Sequence, residues 1–127
     1  MNADERQIIE NILGPQIANC LAPAIVTLAA DAAIPIDRDV LVNLTKGSAG
    51  AYTLAVPGAS NIGRRIVLMI GTDFAHVVTA ASTSVNDGTT GGHGTLTGPA
   101  FIGGTLTLRA RTAALWQVEA NQLWVIT

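Results

Sequence analysis

At 127 residues the chain has the size of one compact domain, and its 49% hydrophobic content comes with only 13% charged residues, about half the charged share of an ordinary soluble domain. That composition excludes intrinsic disorder and leaves little charge to cover the surface of a monomer. The net charge is −2, and the seven basic residues are dispersed as Arg6, Arg38, Lys46, Arg64, Arg65, Arg109 and Arg111, which argues against nucleic-acid binding as the main task.

The first predicted element is a helix. Asn2 is placed to cap its N-terminus, and Glu5 completes a capping-box-like pair three residues on. Ile8, Ile9, Ile12 and Leu13 fall on one face, and Gly14-Pro15 supplies the stop. A helix this short is not stable alone in water, so its apolar face must dock on its own domain or on a partner. Residues 1–22 are therefore read as an N-terminal helical arm and 23–127 as a β domain. Cys20 is the single cysteine, which excludes an internal disulfide, and no Cys/His spacing suits zinc. The weakly polar stretch 21–30 is broken by Pro23 and Thr27 and ends at Asp31, well short of the ~20 residues that span a bilayer as a helix. The opening Asp4-Glu5-Arg6-Gln7 does not resemble a secretory signal. The expectation is a protein that stays where it is made and has no membrane partner.

From Ala24 onward the period changes from helical to alternating. Strands are predicted over 24–28, 40–44, 51–56, 65–70, 75–79, 105–111, 115–120 and 123–126. The clearest is 105–111, where Leu106, Leu108 and Ala110 take one face and Thr105, Thr107, Arg109 and Arg111 the other. Turn signals separate these runs, among them Lys46-Gly47-Ser48, Pro57-Gly58, Gly71-Thr72-Asp73, Gly103-Gly104 and Asn121-Gln122. Short strands at such intervals predict a mainly β fold, an antiparallel β-sandwich or barrel. Residues 82–99 read as a long loop or a loosely formed hairpin.

Chemical constellations are few. His76 and His93 have no metal-motif spacing, and Asp73 and Asp87 add only a loose cluster. Asn86-Asp87-Gly88 lacks the alternating acids of a calcium loop and reads as a tight turn. No nucleophile elbow, dinucleotide fingerprint or phosphate-binding loop is present. The expectation is a non-enzymatic protein with no cofactor and no metal. Trp116 and Trp124 flank Asn121-Gln122 in a predicted C-terminal hairpin. They are read as core or subunit-interface side chains, with sugar stacking as the alternative.

The residue order Ala51-Tyr52-Thr53-Leu54-Ala55-Val56-Pro57, then Gly63-Arg64-Arg65-Ile66-Val67, then Phe74-Ala75-His76-Val77-Val78-Thr79, then Val85-Asn86-Asp87-Gly88 carries a resemblance that continues through 101–108 and ends at Trp116-Gln117-Val118. The chain resembles the β domain of tailed-bacteriophage virion proteins, among them capsid decoration (cement) proteins and head or tail fibre modules, over roughly residues 46–127. The resemblance implies a small β-sandwich or tulip-like barrel. It also implies a homotrimer bound to the outside of the capsid, with the major capsid protein as partner, made in the host cytoplasm and carried on the virion. A fibre or tail-tip module binding a receptor or glycan is the alternative. The candidate capsid or subunit contacts are Ile8, Ile9, Ile12, Leu13, Phe74, His76, Trp116 and Trp124.

Overall fold

The computed structural model describes residues 24–89 and 91–127, so the predicted arm, with Ile8, Ile9, Ile12 and Leu13, lies outside the described residues. The described part is mainly β and forms two mixed sheets. In chain order the strands are β1 (Ala24–Leu28), β2 (Val40–Leu44), β3 (Ala51–Leu54), β4 (Arg65–Ile70), β5 (Val77–Ala80), β6 (Val85–Asn86), β7 (Thr95–Thr97), β8 (Thr105–Ala110), β9 (Trp116–Asn121) and β10 (Val125–Ile126). The six-stranded sheet has the order β1-β2-β4-β8-β9-β6 and the four-stranded sheet β10-β7-β5-β3.

Side-chain alternation sets what each strand buries. Val40, Val42 and Leu44 of β2, Ile66, Leu68 and Ile70 of β4, and Leu106, Leu108 and Ala110 of β8 all point inward. The smaller sheet contributes Tyr52, Leu54, Val78, Ala80 and Leu96 to the same hydrophobic cluster. The two sheets therefore bury their inner faces in one core. With few aromatics available, that core is built from interdigitated Val, Ile and Leu around Tyr52 and the two tryptophans.

The expectation of antiparallel pairing is corrected: β1/β2, β2/β4, β3/β5 and β6/β9 are parallel, whereas β4/β8, β8/β9, β5/β7 and β7/β10 are antiparallel. The cause is the route of the chain. From β2 to β8 every connection crosses to the opposite sheet. Where the chain leaves a sheet, runs through the other and returns having reversed twice, as from β2 through β3 to β4 and from β3 through β4 to β5, it re-enters beside its earlier strand in the same direction, whereas the return from β5 through β6 to β7 is antiparallel. Even the β1–β2 connection touches the smaller sheet, where Ile34 N–H donates to Thr53 O at 2.8 Å. Among the described residues the hairpin connecting sheet neighbours is β8–β9, closed by Arg111 N–H donating to Leu115 O at 2.9 Å.

The predicted C-terminal hairpin is likewise corrected, because β9 and β10 lie in different sheets. The Asn121 side chain clamps the crossing: its Oδ1 accepts from Trp124 N–H and its Nδ2 donates to Trp124 O, each at 2.9 Å. Between them Leu123 adopts a left-handed φ of 70°. Within the predicted loop 82–99, Val85–Asn86 and Thr95–Thr97 form the short strands β6 and β7, with an antiparallel bridge between Val85 and His93. No helix among the described residues is long and apolar enough to cross a membrane.

Candidate functional site

The register fixes which connections meet. Leu44 pairs with Ile70, Met69 with Thr105 and Leu106 with Asn121. The segments following β2, β4 and β9 and the one preceding β8 therefore gather at one pole of the molecule.

His76 ties three of these segments together. It is fully buried. Its Nδ1 accepts from Gly50 N–H at 2.9 Å, so the proton of the neutral ring belongs on Nε2, 2.8 Å from Thr72 Oγ1. The Thr72 hydroxyl accepts that bond and donates its own O–H to Lys46 O at 2.7 Å. Lys46 Nζ in turn pairs with Asp31 Oδ1 at 2.8 Å, and the same oxygen accepts from Ala51 N–H at 2.9 Å. Those two hydrogen bonds hold the Asp31 carboxyl below the ordinary carboxylate range. Burial pushes the His76 pKa down from 6.5, and the Lys46 ammonium adds to the effect. Tyr52 meets the imidazole edge-on with ring centroids 5.8 Å apart, and Phe74 does so at 6.5 Å. With both ring nitrogens committed and no solvent access, His76 acts as a structural pin.

His93 belongs to a separate cluster. Its Nε2 lies 3.1 Å from Asp87 Oδ1 and 2.9 Å from Thr89 Oγ1, while Asp87 Oδ1 also accepts from the Thr89 hydroxyl and amide. The Thr89 bonds depress the Asp87 pKa, the hydroxyl contributing most. This cluster braces the turn before β7. Asp73, the third residue of the loose sequence cluster, is elsewhere again, its Oδ1 accepting from Ile102 N–H at 3.0 Å. Among the described residues no three His, Cys, Asp or Glu side chains come together as metal ligands.

On the outer face of the large sheet Arg65 stands directly opposite Arg109. Glu119 serves both, with Oε2 3.0 Å from Arg109 and Oε1 3.9 Å from Arg65. One carboxylate thereby relieves a cross-strand like-charge pair, and the arginines sit in a compensated polar face.

The tryptophans are core residues. Trp116 is fully buried and donates from Nε1 to Ala55 O at 2.9 Å, and Trp124 is 4% exposed. Sugar stacking needs an open ring face, so the glycan alternative loses both tryptophans and retains only the 82–99 segment. Of the contact candidates within the described residues, Phe74 alone meets solvent, at 39% exposure.

Beside it the structure brings out side chains that motif reading passed over: Phe101 (67% exposed), Ile102 (65%) and Leu123 (68%). The available sequence signal was the presence of large apolar residues at 101 and 102, outside every predicted strand, whereas Leu123 was hidden as the first residue of the strand predicted over 123–126. No family model matches the chain, and no curated protein matches it.

Proposed function

We propose that the protein is a non-enzymatic virion structural protein, a capsid decoration protein that binds the outer capsid surface as a homotrimer and stabilises the head. The carrying observation is the ordered run of residues from Ala51 to Val118 that resembles phage virion β domains. The described fold supports the reading: Tyr52 and Trp116 fill the core of two sheets, as a sandwich requires, and His76 fixes the loops at one pole. A charge-poor surface with exposed apolar loop residues suits a subunit that works in an assembly. The major capsid protein is the proposed partner and the capsid exterior the proposed location.

The test is light scattering on the purified protein followed by co-sedimentation with empty capsids. A trimer that pellets at saturable stoichiometry is the expected result, and a chain that ignores capsids at every concentration sinks the proposal. Ile9→Asp with Ile12→Asp then examines the arm. The expected outcome is an unchanged circular-dichroism spectrum with capsid binding abolished, whereas loss of the β signal would assign the arm to the core.

A further inference from the structure

We infer that the outer face of the parallel trio β1, β2 and β4 is the seat of the chain's own N-terminal segment, whose predicted helix lays Ile8, Ile9, Ile12 and Leu13 across it. The inference goes beyond the decoration reading and holds with or without a capsid. Exposed apolar area does not carry it, since single surface hydrophobics such as Ile25 are ordinary.

What carries it is a difference between two halves of one sheet. On antiparallel β8 the outward positions Thr105, Thr107 and Arg109 are polar. On the parallel strands the register sets Ile25, Leu41 and Val67 in one outward row and Thr27, Asn43 and Met69 in the next. None of those six residues is charged, and Ile66 to Ile70 of β4 are apolar without interruption. The inward residues of the same strands already pack with the smaller sheet. Strands that are apolar on both faces mark a parallel sheet covered on both sides, and the usual cover is a helix. Among the described residues there is no α-helix to supply it.

The occupant follows from where the chain enters. The described residues begin at Ala24, the first residue of β1, and β1 is the edge strand of this trio. The sequence before it holds the predicted amphipathic helix. An apolar helix face that must dock and a sheet face that calls for a helix are thus joined by residues 14–23.

The dimensions agree. A helix over residues 3–13 is about 16 Å long at ~1.5 Å per residue, and a five-residue strand is also about 16 Å at ~3.3 Å per residue. The helix is roughly 10 Å across, and two strand spacings place β1 about 10 Å from β4. The linking residues span up to ~35 Å when extended, enough to turn back over the sheet. The tether also favours the chain's own segment over a second copy's, because it holds the segment at an effective concentration in the millimolar range. A capsid would meet the segment as it lies on the sheet, so the binding that Ile9→Asp with Ile12→Asp should lose depends on this seating.

The experiment follows trypsin cleavage at Arg6 in the full chain, together with urea midpoints. Four forms are compared: wild type, Ile9→Asp with Ile12→Asp, Leu41→Thr with Val67→Thr, and the two pairs combined. Threonine suits a strand, so on an uncovered face the sheet pair would be near neutral. On a covered face it should quicken cleavage at Arg6 by about tenfold or more, since cleavage tracks the open population, and lower the midpoint. The helix pair should do the same. The combination should add little to either pair, the sign of one shared contact. Wild-type protection of Arg6 should be unchanged on dilution. A wild type cleaved at Arg6 as fast as the helix pair, a sheet pair that leaves Arg6 protected, or effects that add in full would each overturn the inference. Protection lost on dilution overturns it too, because the covering segment would then belong to another copy. Mixing the same forms with empty capsids keeps the two ideas apart. A wild type that protects Arg6 and never pellets leaves this inference standing and sinks the decoration reading. One that pellets with Arg6 unprotected does the reverse.

Discussion

His76 makes a pH-dependent contribution to stability whose sign follows from its bonds. Protonating Nδ1 turns the acceptor of the Gly50 amide into a donor and places a buried cation near the Lys46 ammonium, whose own partner is Asp31. Tyr52 and Phe74 offer ring contacts that cannot replace the lost acceptor. Because the folded pKa lies below the ordinary 6.5, the unfolded chain binds more protons in the interval between the two values. The contribution is thus fully present above pH ~6.5 and declines as pH falls beneath it. Asp31 and Asp87, held below 3.8, act in the same direction at lower pH, losing their contribution as the medium drops below that value. Urea midpoints measured from pH 7.5 to 5 should fall, and the part due to His76 should be missing in His76→Gln. A flat profile in the wild type would refute the account.

At the level of elements, the connections demand as much specificity as the strands. A Cβ at Gly50 would lie 2.5 Å from Tyr52 Cε2 and 2.8 Å from His76 Nδ1, both in fully enclosed rings that have nowhere to move. Gly50→Ala should therefore destabilise the protein by about 1–3 kcal/mol or more, whereas Gly47→Ala, with nothing within 4 Å, should not. Chemical denaturation of the two variants side by side checks this.

The strands with regular alternation could be read directly from the residues: Ala24–Leu28, Val40–Leu44 and Arg65–Ile70 fall where their patterns place them. Val85–Asn86 and Thr95–Thr97 could not, because two or three residues amid Gly and Thr present no period. Strand direction was also hidden, since alternation reports faces and not orientation. The same limit concealed the Leu123 turn, whose conformation depends on an Asn121 clamp across the crossing between sheets. Of the candidate site, Phe74 and His76 were visible as residues, but their opposite fates were not, because adjacent loop positions differ in burial only once the Gly50, Thr72 and Lys46 partners are in place.

For the whole molecule, charge is the organising quantity. With 13% charged residues, the surface has few means of repelling a copy of itself. Association of the proposed homotrimer should persist when salt is raised from 0.05 to about 0.5 M, where electrostatic contacts are screened within a few ångströms. Sedimentation at the two ionic strengths checks it, and dissociation in high salt would point instead to the arginines around Glu119.

The route that laces one sheet through the other also governs when this protein can take shape on the ribosome. β4 occupies the middle of the large sheet, yet its second neighbour is β8, and the local hairpin available to nucleate that sheet is β8–β9. Pairings so distant along the chain form slowly. A nascent chain halted before Thr105 has β2 and β4 without β8 and β9, which complete their sheet. Until the last fifth of the sequence has emerged, its apolar strands depend on chaperones, or on crowding being low, to avoid pairing with a neighbour's.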